Sequence, residues 1–230
     1  APVSNTDGSI TSTVKASTTN GFSIVSWTGT GANATVGHGL SSAPDWMLVK
    51  NRDSAVDWAV YHSANTSEPE TEELNLNKTD ATEDKDNRWN DTAPTSTVFS
   101  VGNGDLTNKS GDKMIAYCWS QVSGYSSFGS FTGNGSSTGP TVTTNFAPAL
   151  IILKRTDTTG NWILIDNTRT TDTSGNDNTL FPNLSDVEAT GDNRVQFTST
   201  GFQLVTTAGN YNASGGTYIY AAFADTRDAA

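Results

Sequence analysis

Short apolar runs alternate along the chain with polar segments rich in Gly, Asn, Ser and Thr. The runs cover residues 22–27, 46–49, 58–61, 74–76, 97–101 and 113–119, then 127–131, 150–154, 162–166, 198–205 and 218–223. Apolar runs of this length, bounded by turn-forming residues, are typical of β-strands. Residues 68–73 can form one helical turn at most, and no segment carries the apolar stripe of a long amphipathic helix. The pattern therefore predicts an all-β protein.

The second half of the chain repeats the first. Residues 21–62 align without gaps with residues 125–166 at an offset of 104 positions, and the block 108–111 aligns with 212–215 at the same offset. Several matching blocks in the same order are difficult to obtain by chance. They predict an internal duplication of one β-rich unit.

The repeat defines the predicted domain organisation. We expect a linker over residues 1–10, a first unit over residues 11–122 and a second unit over residues 123–230. The fold class that best fits the spacing of strands and turns is two tandem antiparallel β-sandwich units of jelly-roll type. One larger sandwich, to which each repeat contributes half, is the main alternative.

The charge of the chain limits its partners. The sequence has 13 basic and 24 acidic residues, which gives a net charge of -11 at pH 7. Such a surface repels the phosphate backbone, so nucleic acid is not expected as a partner.

No apolar stretch is long enough for a transmembrane helix, so membrane insertion is not expected either. Residues 1–14 lack the basic and apolar regions of a signal peptide.

The residues that most often carry chemistry do not form a recognisable motif. His38 and His62 are the two histidines and Cys118 is the single cysteine, and their spacing does not match a zinc site. We expect Cys118 to be a buried, inert thiol. The chain has no Gly-x-Ser-x-Gly elbow, and the two copies share no Glu/Asp pair within a strand. We therefore name no catalytic or cofactor-binding residue and predict that the protein is not an enzyme.

Two acidic loops could attract calcium. One contains Asp80, Glu83, Asp84 and Asp86, and the other spans residues 172–177. Calcium favours loops rich in carboxylate oxygens, but neither loop has the ligand spacing of an EF-hand. We predict no metal ligand, with bound calcium as the alternative.

Most of the aromatic residues fit strand interiors. We assign to the two cores the residues Trp27, Trp46, Trp58, Trp119 and Trp162. Trp89 and Tyr211 differ, because each lies in a polar stretch: Trp89 in DNRWND and Tyr211 in GNYNASGG. An exposed aromatic ring beside Asn and Asp is a common surface for stacking on a sugar. Trp89 and Tyr211 are therefore our candidate ligand-binding residues.

The repeated unit also resembles a repeat of marine bacteriophage virion proteins, which are usually described as tail-fibre or uncharacterised structural proteins. The resemblance covers about residues 11–225. It is carried by residues 21–31, 34–40, 43–45, 49–52, 58–62 and 115–119, and by residues 128–135 and 218–224. The family supplies no known active-site residue.

The resemblance implies a location on the virion surface, outside the cell, and other virion proteins as partners. The expected function is that of a non-enzymatic appendage protein of tail-fibre type that contacts host-surface glycan. Two alternatives remain: a capsid decoration or assembly subunit, and a polysaccharide-degrading enzyme. Appendage proteins are commonly homo-oligomers, so we expect a homo-oligomer here.

Overall fold

The computed structural model describes residues 1–170 and 177–225, which fold into two compact units. Unit 1 consists of Ala1–Leu76 and Thr82–Gln121, and unit 2 consists of Asn77–Ala81 and Val122–Ala230. Antiparallel strands dominate both units, and helices are limited to single turns. The prediction of an all-β, antiparallel fold is confirmed.

Unit 1 has one large sheet and one small sheet. Its strands are β1 (Val3–Asn5), β2 (Ser12–Ser17), β3 (Phe22–Thr28), β4 (Ala34–Gly37), β5 (Trp46–Asn51), β6 (Trp58–His62), β7 (Glu72–Asn75), β8 (Glu83–Asp84), β9 (Val98–Val101) and β10 (Lys113–Trp119). A 3-10 turn (Pro69–Thr71) and the helical turns α1 (Asp86–Trp89) and α2 (Asp105–Asn108) connect them. The large sheet has the order β1-β2-β3-β10-β5-β6-β7-β8, and β4 pairs with β9 in the small sheet.

Alternation along the central strands builds the core of unit 1. In β10, Met114, Ala116 and Cys118 point inward and are completely buried, because successive side chains of a strand face opposite sides of the sheet. Trp27 of the large sheet meets Phe99 of the small sheet edge-to-face, with 5.5 Å between ring centroids. The two sheets therefore enclose one hydrophobic core, as in a β-sandwich.

Unit 2 is built in the same way. Its strands are β11 (Ser126–Thr132), β12 (Thr141–Thr143), β13 (Pro148–Arg155), β14 (Trp162–Asp166), β15 (Asp177–Thr179), β16 (Ala189–Asp192), β17 (Val195–Thr198), β18 (Gly201–Leu204) and β19 (Thr217–Ala224), and its helical turn is α3 (Gly209–Asn212). The central sheet has the order β11-β19-β13-β14. A second sheet, β12-β18-β17, covers the core, and β15 pairs with β16.

The central sheets of the two units correspond strand by strand. The order β3-β10-β5-β6 in unit 1 matches the order β11-β19-β13-β14 in unit 2. The register also matches, because Lys50 pairs with Trp58 and Lys154 pairs with Trp162 at the offset of 104. The units therefore share one plan, while the duplication that would explain it stays a prediction.

A buried asparagine joins α2 in unit 1, and another joins α3 in unit 2, to the loop that follows the first strand of the central sheet. Asn108 is completely buried, and its side chain accepts the N–H of Thr30 at 3.0 Å and donates to the carbonyl of Ala32 at 2.6 Å. Asn212 does the same in unit 2, accepting the N–H of Asn134 at 2.8 Å and donating to the carbonyl of Ser136 at 2.8 Å. We call this arrangement the asparagine clamp.

Three parts of the chain differ from the sequence-based expectation. The expected linker over residues 1–10 contains β1, which pairs with β2, and Ile10, which lies in the core of unit 1. The expected strand over 198–205 is interrupted, because the chain turns between β17 and β18, which pair as a hairpin. Residues 77–81, which the repeat placed in the first unit, pack with unit 2: the N–H of Gly160 donates to the carbonyl of Thr79 at 2.8 Å.

We expect Asn212→Ala to destabilise unit 2 by about 3 kcal/mol, because it leaves buried backbone groups without their hydrogen-bond partners. Asn212→Asp should also destabilise, since it keeps the acceptor but replaces the donors with a buried carboxylate. Urea unfolding measures both changes. Asn210→Ala, on the same helical turn, is the control and should change stability by less than about 1 kcal/mol. Equal losses at positions 210 and 212 would contradict the role of the clamp.

Lys154 gives unit 2 a pH-dependent stability. Its side chain is completely buried, and Nζ donates to the carbonyl of Arg155 at 2.6 Å. Burial lowers the pKa of Lys154 from 10.5 to about 8, although Asp80 and Asp157 oppose the change. Between these two pH values the unfolded chain holds the proton that the folded chain has released. Stability contributed by this group therefore rises from pH 8 to pH 10.5.

We expect Lys154→Met to remove this rise, which amounts to about 3 kcal/mol. Below pH 8 the wild type bears the full cost of a buried ammonium, so the variant should gain most there relative to the wild type. Urea unfolding of both proteins from pH 7 to pH 10.5 measures the difference in unfolding free energy. Parallel pH profiles would contradict this account of Lys154.

Candidate functional site

The two aromatic candidates from the sequence are both buried. Trp89 is 1% exposed, and its indole N–H donates to the carbonyl of Glu72 at 2.9 Å inside the core of unit 1. Tyr211 is 2% exposed and belongs to the core of unit 2. Both rings lie on single helical turns that rotate them inward, which a polar sequence context does not reveal. The prediction that they are exposed stacking surfaces is therefore corrected.

His38 and Cys118 are buried in unit 1. Nδ1 of His38 accepts the N–H of Leu40 at 3.1 Å, and Nε2 lies 3.1 Å from the carbonyl of Thr95. Burial lowers the pKa of His38, so the ring is neutral near pH 7. Cys118 is completely buried, and burial raises the pKa of its thiol, which makes it unreactive as expected.

The acidic loops provide no metal centre within the part of the chain that the structure describes. No group of three or more His, Cys, Asp or Glu side chains in residues 1–170 and 177–225 is arranged to hold a metal ion. In the second predicted loop, residues 172–176 lie outside the described residues. Asp177, at the end of that loop, is completely buried and accepts the N–H of Arg194 at 3.0 Å.

A surface cleft of unit 2 combines polar and aromatic groups. It has a volume of about 360 Å³ and is lined by Arg155, Phe181, Arg194 and residues 208–211. We call it the unit 2 cleft. Residues 208–211 belong to α3 and the position before it, so the asparagine clamp at Asn212 fixes this wall of the cleft. Four separate parts of the chain thus meet at one surface.

Arg155 lines the cleft and is held in place by several contacts. Its guanidinium donates from Nε and Nη2 to the two oxygens of Asp157 at 2.8 and 2.9 Å, and from Nη1 to the carbonyl of Gly209 at 3.1 Å. It also lies over the ring of Tyr218, 5.9 Å from the centroid. The hydrogen bonds lower the pKa of Asp157 and raise that of Arg155, so both groups are charged at neutral pH.

Arg194 also lines the cleft and lies over the ring of Tyr211. Its guanidinium carbon is 5.0 Å from the centroid of the ring, and Nη1 donates to the phenol oxygen at 2.9 Å. The hydroxyl of Tyr211 is also 3.2 Å from that of Thr179. Burial raises the pKa of Tyr211, so the phenol stays neutral. Tyr211 therefore acts as a buried support for Arg194.

Phe181 supplies the apolar part of the cleft and remains half-buried. The preceding residue, Leu180, exchanges two backbone hydrogen bonds with Leu164 of β14, at 2.9 and 3.0 Å. This pairing holds Phe181 in the wall of the cleft, which the two arginines also line. An apolar ring beside planar donors is a combination that suits a ligand with one apolar face and several polar groups.

Sequence reasoning named Tyr211 but missed Arg155, Phe181 and Arg194. One signal was available for Arg155, because the repeat aligns it with the neutral Asn51, so that the second copy gains a positive charge. No such signal exists for Phe181, since its place in the cleft depends on the backbone pairing of Leu180.

The comparisons with known proteins identify a family without assigning an activity. No helix among the described residues is long and apolar enough to cross a membrane. No curated protein and no solved structure matches the chain significantly. A family model described as "Domain of unknown function (DUF7483)" matches residues 1–227, which is nearly the whole chain. The chain therefore belongs to the DUF7483 family.

Proposed function

We propose that this protein is a non-enzymatic binding module of a virion surface or appendage and that it contacts glycan on the host cell. The observation that carries the proposal is the unit 2 cleft, in which two fixed guanidinium groups lie beside an aromatic ring. The resemblance to phage virion repeats supports the location. In this setting the chain acts outside the cell, next to other virion proteins and as one subunit of a homo-oligomer.

The groups in the cleft suit the recognition of a sugar. A sugar presents hydroxyl groups around its edge and C–H groups on its faces, so it needs polar donors and acceptors together with an apolar surface. The cleft offers Arg155, Arg194 and Asn210 as polar groups and Phe181 as the apolar surface. The described wall of the cleft thus combines polar groups and an apolar surface around one ligand-sized volume.

The side chains of the cleft are held in place before a ligand binds. Arg155 and Arg194 each have a hydrogen bond and an aromatic contact that restrict their rotamers. Side chains that are fixed before binding lose less conformational entropy when the ligand arrives.

We expect the fluorescently labelled protein to bind intact marine bacterial host cells and to lose most of that binding after the cells are treated with periodate. Periodate cleaves vicinal diols and so destroys most glycans, whereas proteinase K treatment of the cells is the matched control and should leave binding unchanged. Flow cytometry across a panel of marine isolates measures both effects. Heat-denatured protein provides the background.

Three outcomes would overturn the proposal. Binding that is lost with proteinase K and kept after periodate would identify a protein receptor. Release of oligosaccharides from the treated cells would identify an enzyme. Labelling of the whole head lattice in particles stained with antibody against this chain, with no labelling of the appendages, would identify a capsid decoration protein.

A further inference from the structure

Two arginines line the unit 2 cleft of a strongly acidic protein. The net charge of the chain is -11, yet the side chains that line the described wall of the cleft include two arginines and no carboxylate. Asp157, outside this lining, forms the ion pair with Arg155, and Asp177 is completely buried. Asp157 and Gly209 use three of the five N–H donors of Arg155, so two remain for a ligand. Two arginines at one ligand-sized space on an acidic protein call for a specific explanation.

Comparison with unit 1 shows that the architecture does not require Arg155. At the matched position, the side chain of Asn51 donates to the carbonyl of Asp105 at 3.1 Å, just as Arg155 donates to the carbonyl of Gly209 at 3.1 Å. A neutral amide is thus sufficient to hold the helical turn in unit 1. The guanidinium of Arg155 makes the same bond and adds a positive charge and further donors.

Gly209 leaves space at the cleft where unit 1 has an acid. The matched residue is Asp105, the first residue of α2. A Cβ placed on Gly209 would meet only Nη1 of Arg155, at 3.5 Å, which is an ordinary van der Waals distance. The absence of a side chain therefore opens the cleft in front of Arg155. It also removes a negative charge that would compete with an anionic ligand.

The second arginine of the cleft, Arg194, also has a different setting from its counterpart in unit 1. Arg88, which aligns with Arg194 at an offset of 106, forms an ion pair with the buried carboxylate of Glu73 inside unit 1. Arg194 lines the cleft and lies over the ring of Tyr211. An arginine that serves the interior of unit 1 thus faces a ligand-sized space in unit 2.

We propose that the unit 2 cleft binds an acidic sugar, with the carboxylate or sulfate of that sugar placed between Arg155 and Arg194 and its apolar face against Phe181. This inference rests on the proposed glycan-binding function and narrows its ligand class. Planar guanidinium groups bind oxyanions with paired, charge-assisted hydrogen bonds, so they distinguish an acidic from a neutral sugar. Because the cleft is open to solvent, salt weakens the interaction.

Isothermal titration with defined oligosaccharides tests this inference. We expect an oligogalacturonate hexamer or a sulfated galactan hexamer to bind, and the fully methyl-esterified oligogalacturonate, which has the same sugars without charge, to bind at least about tenfold more weakly. Binding of the carboxylated probe alone, or of the sulfated probe alone, identifies which oxyanion the cleft prefers. Equal affinity for the charged and the esterified hexamers would overturn the inference.

Variants that restore unit 1 residues locate the site. Arg155→Asn and Gly209→Asp copy Asn51 and Asp105, and both residues are accommodated in the same backbone setting of unit 1. Each should weaken binding of the charged hexamers by about tenfold or more while leaving the thermal unfolding temperature close to that of the wild type. Gly209→Asn fills the same space without charge and should weaken binding less than Gly209→Asp.

A charge control separates the cleft from the overall charge of the protein. Lys113→Gln removes one positive charge from an exposed strand position of unit 1 and should leave the affinity unchanged within about twofold. If Lys113→Gln weakens binding as much as Arg155→Asn, the attraction is nonspecific and the inference fails.

The cell-binding assay distinguishes failure of this inference from failure of the proposed function. Periodate-sensitive cell binding that Arg155→Asn and Gly209→Asp leave intact would contradict the acidic-sugar site but keep the glycan-binding function. Absence of binding to every cell and to every hexamer would overturn both.

Discussion

The amide of Asn212 is the interaction on which the unit 2 cleft depends. It joins a helical turn to the loop that follows the first central strand, and it is completely buried. Buried amides must satisfy both their donors and their acceptor, so only one arrangement of turn and loop is compatible with them. Because Gly209 and Tyr211 are on that turn, their positions are set by the clamp before any ligand arrives.

The two units use one scaffold for different surfaces. The clamp, the order of the central strands and the pairing of Lys50 or Lys154 with a tryptophan are common to both. Residues on the helical turn and at the end of the neighbouring strand differ between the units, as Asp105 and Gly209 or Asn51 and Arg155 show. A rigid core with variable edges is the usual way in which one fold serves several functions.

Local pattern was sufficient to predict the central strands but not the cleft. The bounds of β10 and β14 agree with the apolar runs 113–119 and 162–166, because alternation and turn residues act over a few neighbouring positions. Burial of Trp89 depends on a single helical turn within a polar segment, which has no periodicity to detect. The cleft joins Arg155, Phe181 and Arg194 through tertiary contacts, and no short-range signal records those contacts.

The lone cysteine of the chain lies on a central strand of unit 1, and unit 2 has none. A thiol-specific reagent therefore reaches its target only when the first sandwich opens, whatever happens in the second. The rate of thiol modification therefore measures the local opening of unit 1. Cys118 thus distinguishes unfolding of unit 1 from unfolding of unit 2 without any engineered label.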